Sequence, residues 1–273
     1  MVNKHLHFTG ATSFMMWFEE QRKINGRLRS FVYGDRNKTD FGVNVLLNGD
    51  ETHVEEAQKM VDALTLSIET PRNTWYKDVY GSMPDVPAYL VGDPMNMWNQ
   101  HKVSEDRAPI RVFVGLTSSA SIGEADLTKR GVALAAFAIA MANIRPVVIT
   151  PFVTLGSSRR GSRNMLISWD ISTQPLVLSE IMSLTRPEVT RYVGIEACRQ
   201  MFGYIAESDP SFHSDSFNEV LMREHLNAHE IDLYLPVIHA SDPILNDPVK
   251  WVNDMVAHYI NLEATDIAPP TDY

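Results

Sequence analysis

The sequence predicts an α/β fold: a doubly wound, mostly parallel sheet in the second half of the chain, behind an N-terminal α+β extension. Three observations predict it. From Ile110 onward, short runs rich in branched residues alternate with helical ones, the order that builds parallel strands covered on both faces. The stretch from Leu127 to Asn143 is alanine-rich and apolar nearly all round, as a helix buried against a sheet is. A hydrophobic content of 44% in 273 residues fills a core without disulfides or metal. The expected organisation is an extension over residues 1–107, an α/β core over 108–262 and an acidic tail over 263–273.

In chain order, Ser13 to Ile24 reads as an amphipathic helix carrying Phe14, Trp17 and Phe18. Arg29–Tyr33 and Phe41–Leu47 read as short strands, the second closed by the turn signal Asn48-Gly49-Asp50. Val54, Ala57, Met60, Val61 and Leu64 recur at helical spacing from Glu51 to Leu66. Glu69 to Arg107 breaks into proline, glycine and aromatics, a long irregular stretch of the kind that carries function. Ile110–Val114 and Pro146–Val153 then flank the alanine-rich helix as a βαβ unit with a right-handed crossover. Asn164–Trp169 predicts a strand, Leu176–Leu184 and Pro187–Phe202 two helices, Asp232–His239 a strand and Pro248–Asn261 a closing helix. There is no internal repeat.

The formal charge is −10, but it is unevenly spread. From Ile205 to the end, thirteen acids face only Arg223 and Lys250, which leaves the rest of the chain near neutral with local basic clusters. A lone Cys198 cannot form an internal bridge, and no signal-peptide pattern opens the chain, which points to the cytoplasm of a cell or of an infected host. The longest apolar run, Gly131–Ala142, falls short of the roughly 20 residues a membrane span requires.

In an open parallel sheet ligands bind beyond the carboxyl ends of the strands, so the turns after Val114, Val153 and His239 are where chemistry belongs. Thr117, Ser119 and Ser121 resemble the Asp-x-Ser-x-Ser metal turn of von Willebrand A-type domains, and the fold expected is von Willebrand A-like or Rossmann-like. Threonine stands where the carboxylate belongs, and magnesium favours carboxylate oxygen, so the reading assigns no metal and gives the hydroxyls to helix capping. His225 and His229 lie four apart but lack the glutamate of a metalloprotease helix. Cys198 sits among Ile195, Met201 and Phe202, the setting of an inert buried thiol. Neither glycine-rich phosphate cradle is present, so no nucleotide cofactor is expected. As acid–base groups for an enzyme, the strand ends offer Asp170, Asp242 and His239.

Two basic clusters remain. Arg22, Lys23, Arg27 and Arg29 lead into Phe31 and Tyr33, and Arg159, Arg160 and Arg163 fall in a serine-rich loop between two strands. Single-stranded nucleic acid is held this way, with cations along the phosphates and aromatic faces under the bases; Trp75 and Tyr76 are further stacking candidates. The alternative for either cluster is a solvated charged face.

Asp85-Val-Pro-Ala-Tyr-Leu-Val-Gly-Asp-Pro-Met-Asn-Met-Trp98, the strand from Ile110 and Lys129-Arg-Gly-Val-Ala-Leu-Ala-Ala136 resemble a family of phage proteins over roughly Thr74–Thr154. Within it the chain is similar to the single-stranded-DNA-binding proteins of the Drc type, found in podoviruses that package a giant virion RNA polymerase. The resemblance implies a non-enzymatic protein of the host cytoplasm that coats single-stranded DNA in viral replication and transcription. It implies phage RNA polymerase or replication proteins as partners, and coating a strand favours a homo-oligomer. The alternatives are a von Willebrand A-like interaction module and a phage enzyme acting on a nucleotide or phosphate ester.

Overall fold

Alternation of buried residues on successive strands organises the core. In β5 (Ile110–Gly115), Ile110, Val112 and Val114 point to one side and Phe113 to the other, all of them buried. Helix α5 (Glu124–Met141) carries the chain to β6 (Val147–Gly156), which pairs parallel to β5 with Ile110 opposite Val147. The sheet continues with β7 (Arg163–Trp169) and β8 (Ile171–Ser172), both antiparallel to β6. On the other side of β5 lies β9 (Leu233–Leu235), and β1 (Val2–Phe8) closes the opposite edge parallel to β7. The order is β1-β7-β6-β5-β9, with β8 beside β6. The protein is thus α/β with a mostly parallel sheet, and the direction reverses at β6, to which both β7 and β8 run antiparallel. The computed structural model describes residues 2–25, 36–63, 74–80, 83–101, 109–117, 122–141, 145–156, 163–173, 177–201 and 232–266.

Both faces of this sheet are buried. Against the first pack α1 (Ala11–Asn25), α2 (Arg36–Asn48), α3 (Val54–Ala63), α5, α6 (Leu178–Ser183), α7 (Ile195–Gln200), α8 (Pro243–Asn246) and α9 (Pro248–Asp266). On the second, Phe113, Phe152 and Leu166 cluster with Tyr234, beside the fully buried Thr150 and Ser168. Helix α5 lies at the middle of the helical layer and buries thirteen residues, among them Ala133, Ala135, Ala136 and Ala138, whose short side chains bring its backbone close to the strands. Gly131 faces the end of α6 instead, where a Cβ would meet Thr185 Cγ2 at 2.0 Å.

Several elements differ from the sequence reading. Phe41–Leu47 is helical, within α2, because Thr39, Gly42, Val45 and Leu46 are buried at helical rather than alternating spacing. Gly42 lets α2 press against the π-helical turn Glu188–Gly194, which opens the helix predicted from Pro187; a Cβ there would lie 2.9 Å from the Glu188 carbonyl. Residues 1–107 are not an appendage to a core starting at 108, since β1 is a strand of the main sheet and Phe14, Phe18, Val45 and Ala57 belong to its hydrophobic cluster. Glu69–Arg107 is not irregular throughout: β2 (Thr74–Asp78), β4 (Met97–His101) and β3 (Met83–Pro84) form an antiparallel sheet in the order β2-β4-β3. Its prolines sit where they are tolerated, Pro84 ending a strand and Pro87 in the first turn of α4 (Val86–Leu90), whose N-cap Asp85 accepts from the Ala88 amide at 3.2 Å. The predicted Arg29–Tyr33 strand lies outside the described residues.

Overpacking at Gly131 gives a direct check. Gly131→Ala forces its methyl into Thr185 and should cost about 2 kcal/mol in urea unfolding. Thr185→Ser, which removes the obstructing Cγ2, should recover most of that loss in the double variant.

Candidate nucleic-acid interface

The first basic cluster begins at the end of α1, and its first member is already engaged. Arg22 donates through Nη1 to Glu19 at 2.7 Å and through Nη2 to Asp40 of α2 at 3.0 Å, with its guanidinium 5.6 Å from the Phe18 ring centre. Its side chain is 16% exposed, so it fastens α1 to α2 rather than standing out toward a phosphate. Lys23, one position on, is exposed. Arg27, Arg29, Phe31, Tyr33, Arg159 and Arg160 lie outside the described residues. Arg163 opens β7, opposite Val2 of β1. Trp75 and Tyr76 lie in β2, opposite Gln100 and Asn99 of β4. Beside them Lys77 is held by Asp85 at 2.7 Å and lies 5.0 Å from the centre of the Trp98 ring.

Near the ends of the strands lie three arrangements that sequence reasoning did not assemble, although it named Asp170 of the third as a candidate. Arg130 is 4% exposed and donates to the carbonyls of Gly115 and Pro236, both at 2.7 Å, so one guanidinium ties the ends of β5 and β9. Its place at the border between the polar first turns of α5 and the apolar run from Gly131 was the available signal. Arg186, after α6, donates to Asp50, to Thr52 and to Glu124 in the first turn of α5. That network borders a cleft of about 590 Å³ between α3 and α5, lined by His53, Glu56, Met60, Glu124, Lys129 and Val132. Finally, His7 Nδ1 lies 3.0 Å from Ser168 Oγ, His7 Nε2 lies 3.3 Å from Asp170 Oδ2, and Thr150 donates to Asp170 Oδ1 at 2.7 Å.

This serine–histidine–aspartate order has the connectivity of a nucleophilic triad but not the access, because Ser168 is fully buried in the middle of the sheet. What it does is stitch β1, β7 and β6 together. Burial alone would push the Asp170 carboxyl up; hydrogen bonds from His7 and Thr150 and the charges of His7 and Arg111 overcome that and hold it below the ordinary value.

Of the remaining strand-end candidates, His239 follows β9 and its backbone carbonyl accepts from the Asp242 amide at 3.0 Å. Asp242 caps α8, accepting from the Ile244 amide at 3.1 Å. Thr117 is buried, and Ser118–Ser121 lie outside the described residues. The amide of Gly123 donates to Asp126 at the start of α5. Burial drives the Cys198 thiol far above its usual range, which makes it inert. Among the described residues no cluster of three His, Cys, Asp or Glu could hold a metal, and no helix is long and apolar enough to cross a membrane.

The chain matches the family described as Domain of unknown function (DUF7192) over residues 6–262. It belongs to the DUF7192 family. The match reaches from within β1 to α9, so the DUF7192 unit includes the first strand together with the sheet it completes. No curated protein and no solved structure matches this DUF7192 chain.

Two outcomes follow for the side chains placed here. Asp170→Asn should lower stability at pH 7 by about 1–2 kcal/mol, since it leaves the buried Thr150 and His7 groups with a weaker partner. The folded carboxyl titrates below its unfolded value, so its contribution is complete above about pH 4 and fades as pH falls through the folded value. Urea midpoints of wild type and variant should therefore converge only in acid. Arg22→Ala should cost about 1 kcal/mol by the same measurement, through lost packing and ion pairs.

Proposed function

We propose that this DUF7192 protein is a non-catalytic binder of single-stranded DNA, with cations on the phosphates and aromatic faces under the bases. The observation that carries the reading is where its two cationic segments start. Only two residues separate β1 from α1, and Phe14 and Trp17 pack on Phe8, at the carboxyl end of the strand. A helix so joined returns along the sheet, and its 15 residues, about 22 Å long, match the roughly 23 Å of β1's seven. The end of α1, with exposed Lys23, thus comes level with Val2 and its partner Arg163. We take both cationic segments to open from one end of the sheet, the arrangement a common trough requires.

Two further observations favour binding over catalysis. The hydroxyl of the one triad-like chain is sealed from solvent, and Asp242 is occupied as a helix cap. The phage setting, strand coating by a homo-oligomer and a phage RNA polymerase or replication partner in the host cytoplasm belong to the same proposal and rest on the resemblance of residues 74–154.

Fluorescence anisotropy with a labelled thymidine 30-mer and its duplex, each at several salt concentrations, tests the reading. Single strand should bind at least tenfold tighter than duplex. With Lys23, Arg27, Arg29, Arg159, Arg160 and Arg163 on phosphates, the logarithm of affinity should fall against that of salt with a slope of about −4. Arg22→Ala should leave this slope unchanged, because its fork is committed within the protein. Equal affinity for both forms, or a slope near zero, overturns the proposal.

A further inference from the structure

Eight of the thirteen exposed large apolar residues found among the described residues fall between Val79 and Met95, four of them in β3 and α4 (Met83, Val86, Tyr89 and Leu90) and four in the segments that join the elements of the small sheet (Val79, Tyr80, Val91 and Met95). Val79 is 52% exposed, Tyr80 82%, Val86 56%, Tyr89 68%, Leu90 76% and Val91 82%. Scattered apolar residues on a surface need no explanation, but this density on one short unit marks a surface that is covered in use. The unit does have an inner side. Ala88 of α4 is buried, Asp85 caps the helix, and the amide of Asp85 donates to the Asn96 carbonyl at 2.7 Å, so these residues are presented by ordered backbone.

The charges around the surface say what covers it. The described ionic groups of residues 74–101 are Lys77, Asp78, Asp85 and Asp93, and the only cation among them, Lys77, is neutralised by Asp85. Asp78 and Asp93 each accept a backbone amide through one oxygen, from Val79 and Met95, and keep the other. An apolar surface bordered by two carboxylates complements an apolar ridge flanked by lysine or arginine. It does not complement a phosphate backbone, which sets it apart from the cationic end of the main sheet.

We propose that residues 79–80 and 83–95 dock a partner protein through a basic amphipathic helix, with Tyr89, Leu90 and Val91 against its apolar face and Asp78 and Asp93 against its cations. The docking uses other residues than the DNA reading, whose stacking candidates Trp75 and Tyr76 lie in β2 of the same small sheet, and the two are told apart by measuring both kinds of binding on each variant.

The test uses the full chain and two fluorescein-labelled 14-residue helical peptides, one of leucine and lysine and one of leucine and glutamate. The lysine peptide should bind and the glutamate peptide should not. Leu90→Ser/Val91→Ser, which alters no charge and removes only exposed side chains, should weaken binding at least tenfold, and Asp93→Lys should weaken it comparably. Circular dichroism and the thymidine 30-mer affinity should be unchanged in both variants. Equal binding by wild type and the serine variant would reduce the effect to net charge and overturn the proposal. So would absence of peptide binding, wild-type dimerisation in sedimentation that the serine variant abolishes, or a loss of 30-mer binding on those same substitutions.

Discussion

The burial of α5 against β5 and β6 is the contact on which the other elements depend. Leu134, Phe137 and Met141 reach into the same cluster as Ile110, Val112 and Ile149, and α3, α6, α8 and α9 find their places by packing on the helix in turn. On its other side the close approach of α6 and Thr185 is available only because Gly131 has no side chain. Arg130 extends the consequence to the strand ends. A guanidinium that far from water must spend its donors, and it spends two on the carbonyls of Gly115 and Pro236, so the position of β9 beside β5 is set partly by an α5 side chain.

What the sequence made legible is what that helix organises. The β5–α5–β6 unit was readable because its apolar runs are long, uninterrupted and different in composition from their neighbours. Strand β1 was not, because Asn3, Lys4, His5 and His7 dilute its alternation and its pairing partner lies some 160 residues away. Helix α2 was misread because Phe-Gly-Val-Asn-Val-Leu-Leu has the composition of a strand, and its helical state comes from packing against the π-turn and α6 rather than from local preference. The small antiparallel sheet escaped notice because its strands span two to five residues and are interrupted by prolines.

The candidate sites divide along the same line. Clusters of charge can be read along a chain, but whether a cation is available depends on what folds beside it. Arg22 shows this: its partner Asp40 is 18 residues away, and nothing in the local sequence distinguishes it from the exposed Lys23. The His7–Asp170 and Arg186–Asp50 contacts join residues more than 130 positions apart and have no local signature at all. The apolar surface at 79–80 and 83–95 was visible as a run of aromatics and aliphatics, while its exposure is a property of the folded unit alone.

The parallel pairing of β1 with β7 also constrains how the chain is made. Strand β1 has its sheet partner at Arg163–Trp169, so until that segment is made Leu6, Phe8 and Phe14 have no sheet to join. Closing so long a loop is entropically expensive and raises contact order, which places the edge of the sheet among the late events of folding. Until Trp169 emerges to stack on Phe14, the apolar side chains of β1 and α1 lack their sheet partner, the kind of exposed surface that chaperones cover.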